Sequence, residues 1–173
     1  IIGGDSAGGT IAIQAALTTP SLFYSGFLLS PWMDLDGKYT PSYYSRSWND
    51  KYKTGDPIYK TDPITNLSTS KEIALKYLDN KSLFKNPIAN PVLATPDMLK
   101  KLPPFILFIG DDEVIRDGVI KFAGNAQKVN DNIFCFLYVG MWHDWLLYSQ
   151  FSAKIKGPHA LDILFKFCKT KVK

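Results

Sequence analysis

The chain has little that crosslinks or ligates: among 173 residues there are two cysteines and two histidines. Cys135 falls in an apolar, strand-like run and Cys168 on a helical face, so neither a disulfide framework nor metal-ligand spacing is present. That cysteine usage points to a reducing, intracellular compartment. No run approaches the roughly 20 apolar residues of a membrane span. Internal repeats, low-complexity tracts and a Gly-rich phosphate loop are also lacking, and no cofactor or metal is expected. The net charge of +4 is modest. Much of it comes from Lys154, Lys156, Lys166, Lys169, Lys171 and Lys173, which read as solvated helix ends rather than as a surface for nucleic acid or acidic lipid. An initiator methionine and a targeting segment are missing too, and the chain opens in mid-strand. The expectation is a C-terminal piece of a longer protein, in which case the absent leader says nothing about location.

What is present is a globular composition, 46% hydrophobic and 21% charged, long enough for one domain with a core. The first ten residues, Ile1 to Thr10, read as the end of a strand, a tight turn and the start of a helix. Within them lies G-x-S-x-G, centred on Ser6. A serine on a sharp strand-to-helix turn projects its hydroxyl into a cleft. The flanking Gly4 and Gly8 are expected where a Cβ would clash. The N–H of Ala7, at the start of the helix, is aimed to help hold an oxyanion. The other motif of similar appearance, the G-D-S-G-G turn of serine proteases, comes late in its chain among disulfide-bonded strands. Here the serine comes first and a helix follows.

Further along, Thr10 to Leu17 is helical in pattern, with Ile11, Ala12, Ala15 and Ala16 on the expected inner face, and Thr18-Thr19-Pro20 ends it. Phe23 to Trp32 reads as a buried parallel strand stopping at Pro31. From 36 to 100 the chain is polar, Tyr-rich and broken by Pro41, Pro57, Pro63 and Pro87. A stretch this long between strands is expected to be an insertion or cap-like segment. It contains one clear helix, Ser70 to Leu78, with Ser70 as N-cap and Ile73, Ala74, Tyr77 and Leu78 on one side. Its aromatics Tyr43, Tyr44, Trp48, Tyr52 and Tyr59 either line an acyl or alcohol pocket or pack the insertion onto the core. Phe105 to Gly110 is a short buried strand. Asp117 is expected to cap the next helix, whose apolar stripe is Val119, Phe122, Ala123, Ala126 and Val129. Ile133 to Val139 is the last strand. The closing helix, about 159–169, presents Leu161, Leu164, Phe165 and Cys168 to the sheet.

Two groups of residues lie just past strand ends, the functional edge of an open α/β sheet. Asp111, Asp112 and Glu113 follow the 105–110 strand, and His143 follows the last strand. His159, beside Pro158, looks like a helix-end residue. A serine is a weak nucleophile without a base in hydrogen-bond reach and a carboxylate to orient that base. Ser6, one of these acids and His143 occur in the chain order serine, acid, histidine.

Five strings, spread over essentially the whole chain, resemble the hormone-sensitive-lipase family of α/β-hydrolases. They are Gly4-Asp5-Ser6-Ala7-Gly8-Gly9, Leu29-Ser30-Pro31-Trp32-Met33-Asp34-Leu35, Pro103-Pro104 before a strand, Ile115-Arg116-Asp117, and Gly140-Met141-Trp142-His143-Asp144-Trp145. The resemblance implies the C-terminal part of an α/β-hydrolase fold: a mostly parallel sheet flanked by helices, with the N-terminal strands missing. It also implies a serine hydrolase acting on small-molecule carboxylic esters with short-to-medium acyl chains, as in the arylacetamide- and steryl-acetate-deacetylase branch. Laying Ile115-Arg116-Asp117 onto the family's string puts Glu113 at the catalytic-acid place, where aspartate is commoner, with Asp112 as the alternative. The family's second oxyanion element, a His-Gly-Gly turn upstream of the elbow, does not occur in these residues, so the isolated piece is expected to be weak or inactive. The gibberellin receptors share the fold and bind ligand without hydrolysis, having lost the histidine that His143 would represent. A ligand-binding protein and an inactive truncated product are the alternatives to an enzyme.

Overall fold

Four short strands form one parallel sheet in the computed structural model, which describes residues 1–59, 67–148 and 156–171. They are β1 (Ile2–Asp5), β2 (Gly26–Leu29), β3 (Phe105–Gly110) and β4 (Ile133–Tyr138), and their spatial order follows their chain order. Asp5 pairs with Leu29, Leu29 with Phe108, and Gly110 with Tyr138, so the C-terminal ends of the strands line one edge of the sheet. Glu113 and the residues around it, Ser6, Ser30 and His143 all follow that edge. Pro63, Lys154 and Lys173 lie outside the described residues.

β3 explains why an uninterrupted apolar run makes a strand here. Phe105, Leu107 and Ile109 face one core, Ile106 and Phe108 face the other, and all five are essentially inaccessible. Both faces are covered, as a parallel sheet requires. The first core is filled by α1 (Ser6–Thr18), α4 (Pro96–Lys100) and α5 (Arg116–Gln127). The second is filled by α6 (Lys156–Lys171) and the 141–146 turn, with Trp145 fully buried between them.

Several local expectations shift. β2 is shorter than the 23–32 run, because pairing with β1 and β3 covers only Gly26 to Leu29. In α1 the buried residues are Gly9, Thr10, Ala12, Ile13, Ala16 and Leu17, whereas Ile11 is 55% exposed. In α6 Ala160, Leu164 and Phe167 are buried and Phe165 is exposed. α5 begins at Arg116 with Ile115 as its cap residue, so Asp117 is not the N-cap. Its carboxylate accepts the Ser42 N–H at 2.7 Å and pairs with Arg116, tying the insertion to the helix. The helix in the insertion, α3 (Leu67–Leu78), begins a turn earlier than expected, which leaves Ser70 inside it rather than at its cap. Between β2 and β3 the chain also carries the short α2 (Ser42–Ser45) and brief 3₁₀ turns at Pro57–Tyr59, Lys81–Lys85 and Pro91–Leu93. Two small apolar clusters hold this stretch down. Tyr43 and Tyr59 pack with Val114 and Ile115, and Leu35 packs with Ala74 and Leu78. Among the described residues no helix is long and apolar enough to cross a membrane.

Candidate active site

The turn at Ser6 is built by steric exclusion. Ser6 has φ +47, a left-handed conformation that costs a non-glycine residue on the order of 1–3 kcal/mol. The surroundings hold it there: Trp32 N–H donates to the Ser6 carbonyl at 3.0 Å, and the Thr10 hydroxyl donates to the Trp32 carbonyl at 2.6 Å. A Cβ on Gly4 would run into the Gly8 carbonyl, and one on Gly9 would come within 2.7 Å of Pro31 Cβ. Gly8 itself has room, since its nearest neighbour would be Asp5 Oδ1 at 3.8 Å. The crowded positions are therefore Gly4 and Gly9 rather than Gly4 and Gly8.

His143, beyond β4, brings its Nε2 to 2.8 Å from Ser6 Oγ, although 137 positions separate them in the chain. Its Nδ1 lies 3.4 Å from Glu113 Oε2. Glu113 is fully buried, and its other oxygen accepts the Ser30 hydroxyl and the Gly110 N–H, both at 2.6 Å. The two neighbouring acids face elsewhere. Asp111 pairs with Arg116 at 2.7 Å and Asp112 lies 3.5 Å from Arg46. His159 is on α6, with Nδ1 2.9 Å from the Tyr138 hydroxyl, remote from Ser6. Ala7 follows Ser6 in the first turn of α1 and lines the cavity beside it.

Charge around the imidazole is dense. Burial works to lower the His143 pKa, but the hydrogen bond and charge of Glu113, joined by Asp144 and Asp56, outweigh it, and the net direction is upward. Asp144 Oδ2 stands 3.3 Å from His143 Nε2, and burial pushes its own carboxyl up to about 6. Three groups that sequence reading did not single out thus surround the site: Ser30, Asp56 and Asp144. Ser30 takes φ +43, donates to Glu113 and accepts the Asp144 N–H at 3.0 Å, so one hydroxyl links the acid to the histidine turn. Its place in the Leu29–Leu35 string was the only available signal.

Beside Ser6 opens a cavity of about 270 Å³. Trp32, Tyr43, Tyr59, Ile73 and Ile115 form most of its wall, with Ser6 and His143 at one end. Of the five aromatics singled out in the insertion, Tyr43 and Tyr59 line it. Tyr44 and Tyr52 are exposed, and Trp48 donates its indole N–H to Asp50. A smaller apolar hollow, lined by Ile11, Leu35 and Tyr77, shares Ala7, Trp32 and Ile73 with the first.

Residues 1–147 match the family described as alpha/beta hydrolase fold. The chain belongs to that family. A curated esterase from Acinetobacter venetianus, strain RAG-1, is 26% identical over 160 residues, a match covering 90% of this chain and 48% of the relative. Among solved structures, the thermophilic carboxylesterase EstE1, cloned from a metagenomic library, superposes with a TM-score of 0.79 at 20% identity, covering 99% of this chain and 54% of that one. An esterase from the bacterial hormone-sensitive lipase family gives 0.74 at 24% identity, with 99% and 52% covered. This α/β-hydrolase chain therefore spans about half the length of the relatives it matches. Its parallel sheet flanked by helices is the part of the fold that it shares with them.

Proposed function

We propose that this α/β-hydrolase cleaves small-molecule carboxylic esters with short-to-medium acyl chains, through Ser6, His143 and Glu113. The observation that carries the reading is the 2.8 Å approach of His143 Nε2 to Ser6 Oγ, with a buried carboxylate on the opposite ring nitrogen. His143 takes the Ser6 proton as Oγ attacks the ester carbonyl. Glu113 stays ionised, fixes the tautomer and stabilises the imidazolium. The tetrahedral oxyanion is held in part by the Ala7 N–H. As the intermediate collapses, the carbon–alkoxy bond breaks and His143 gives its proton to the departing alcohol. Water then attacks the acyl-serine, losing its proton to His143. The acid leaves, and Ser6 recovers its hydrogen. The 36–100 segment serves as the insertion that walls the acyl or alcohol pocket with Tyr43 and Tyr59.

The test is hydrolysis of p-nitrophenyl acetate and butyrate by the full-length protein, with fluorophosphonate labelling of Ser6 alongside. Ser6→Ala and His143→Ala are each expected to lower kcat by on the order of 10⁴-fold or more. Wild-type turnover no faster than that of Ser6→Ala rejects the enzyme reading and leaves a ligand-binding protein of the same fold.

A further inference from the structure

Asp56 lies in the middle of the segment joining β2 to β3, far along the chain from every residue of the proposed triad. Yet its side chain is fully buried and bonds to the backbone of His143 and of the residue after Glu113. Its Oδ2 accepts the Val114 N–H at 3.3 Å and the His143 N–H at 3.2 Å, while Oδ1 accepts the Ile58 N–H at 3.2 Å. Val114 adjoins Glu113. One carboxylate oxygen therefore bridges the turn that carries the acid and the turn that carries the histidine. These turns follow different strands, and the side-chain contact between them, Glu113 to His143, is long at 3.4 Å. Three residues on from Asp56, the Tyr59 ring sits 5.2 Å from the imidazole, so the same short segment also backs the ring.

We propose that Asp56 is a positioning residue, a buried acceptor that clamps the acid turn to the histidine turn and so sets the Glu113–His143 geometry. The proposal rests on the ester-hydrolase reading of that site. Burial pushes the Asp56 carboxyl up to about 7, against the lowering effect of His143; what its three backbone N–H partners require of it is a hydrogen-bond acceptor. At the bridging Oδ2 position the one amide oxygen of asparagine can stand in for it, while its NH2 then faces the Ile58 N–H.

The experiment compares Asp56→Ala and Asp56→Asn in the full-length protein by kinetics on p-nitrophenyl butyrate and by proton NMR. The resonance followed is that of the Nδ1–H between His143 and Glu113, identified by its loss in His143→Ala. In Asp56→Ala, kcat is expected to fall about 100-fold, the scale of a 1 Å misplacement, with KM changed by less than about two-fold, and the resonance shifts or vanishes. Asp56→Asn is expected to recover kcat to within about ten-fold of wild type and to keep the resonance, because the acceptor is restored. Wild-type kcat in Asp56→Ala, a rise in KM alone, or equal losses in both variants with the resonance unmoved overturns the proposal. If Asp56→Ala does not fold, Asp56→Asn decides. Loss of the fold in both makes the residue structural and also overturns it. An inactive wild type sinks the hydrolase reading alone, since the NMR comparison needs no turnover.

Discussion

At the scale of single residues, the site is governed by what surrounds one imidazole. A general base works only while neutral, so with His143 in the role proposed for it, its raised pKa moves the acid limb of kcat/KM upward, above the ordinary histidine value of about 6.5. Activity is fully present above that limb and is lost as pH falls through it. Glu113→Gln removes the charge that favours the imidazolium and sets an amide, which can hold the wrong tautomer, against Nδ1. It is expected to move the limb to lower pH and to lower kcat by on the order of 10⁴-fold. Asp112→Asn, whose carboxylate lies against Arg46, should leave the limb in place. A large loss confined to Asp112→Asn transfers the acid role to that residue. The meeting of Ser6 and His143 was legible because each stands in a local string of its own. Glu113 was separable from Asp111 and Asp112 only by aligning the string after it. Asp56 carried no local mark, and Ser30 only its place in the Leu29–Leu35 string, because the site groups they bond to lie 58 to 114 positions away.

Elements were legible where the environment is symmetric. β3 falls on the expected residues because a strand buried on both faces is apolar throughout, and its ends are set by Pro103-Pro104 and the acidic turn. On α1 and α6 the expected faces hold except at Ile11 and Phe165, which point outward, because α1 is a run of small residues and α6 is apolar on more than one side. Contact with the sheet, not the hydrophobic pattern, decides which side is buried. The elbow between β1 and α1 offers a sharper test at this scale. Gly4→Ala would drive a methyl group into the Gly8 carbonyl, so either the strand or the helix must move. Overpacking of this kind costs about 1–3 kcal/mol, and the displacement falls on Ser6. The expected outcome is a lower thermal midpoint together with a fall in fluorophosphonate labelling. An unchanged midpoint with full labelling means the turn relaxes without cost, and steric exclusion is then not what builds it.

For the molecule as a whole, the decisive feature is the outer edge of the sheet. Among the described residues β1 pairs only with β2, which leaves a row of backbone donors and acceptors on its other side. Ile1 and Ile11 beside it are about half exposed. At the opposite edge, β4 and the residue after it expose Phe134, Leu137 and Val139. Unpaired strand edges flanked by apolar side chains template pairing with another chain unless charge or a covering element blocks them. The 173-residue chain studied alone is therefore expected to self-associate at micromolar concentration, the range in which such edges aggregate. Sedimentation velocity over a dilution series measures this. Leu137→Lys places a charge on the β4 edge, far from β1. If it leaves association unchanged while Ile1→Lys reduces it, contact runs through β1. If Leu137→Lys abolishes association, the β4 edge is the sticky surface instead. A stable monomer in every variant means both edges are already protected.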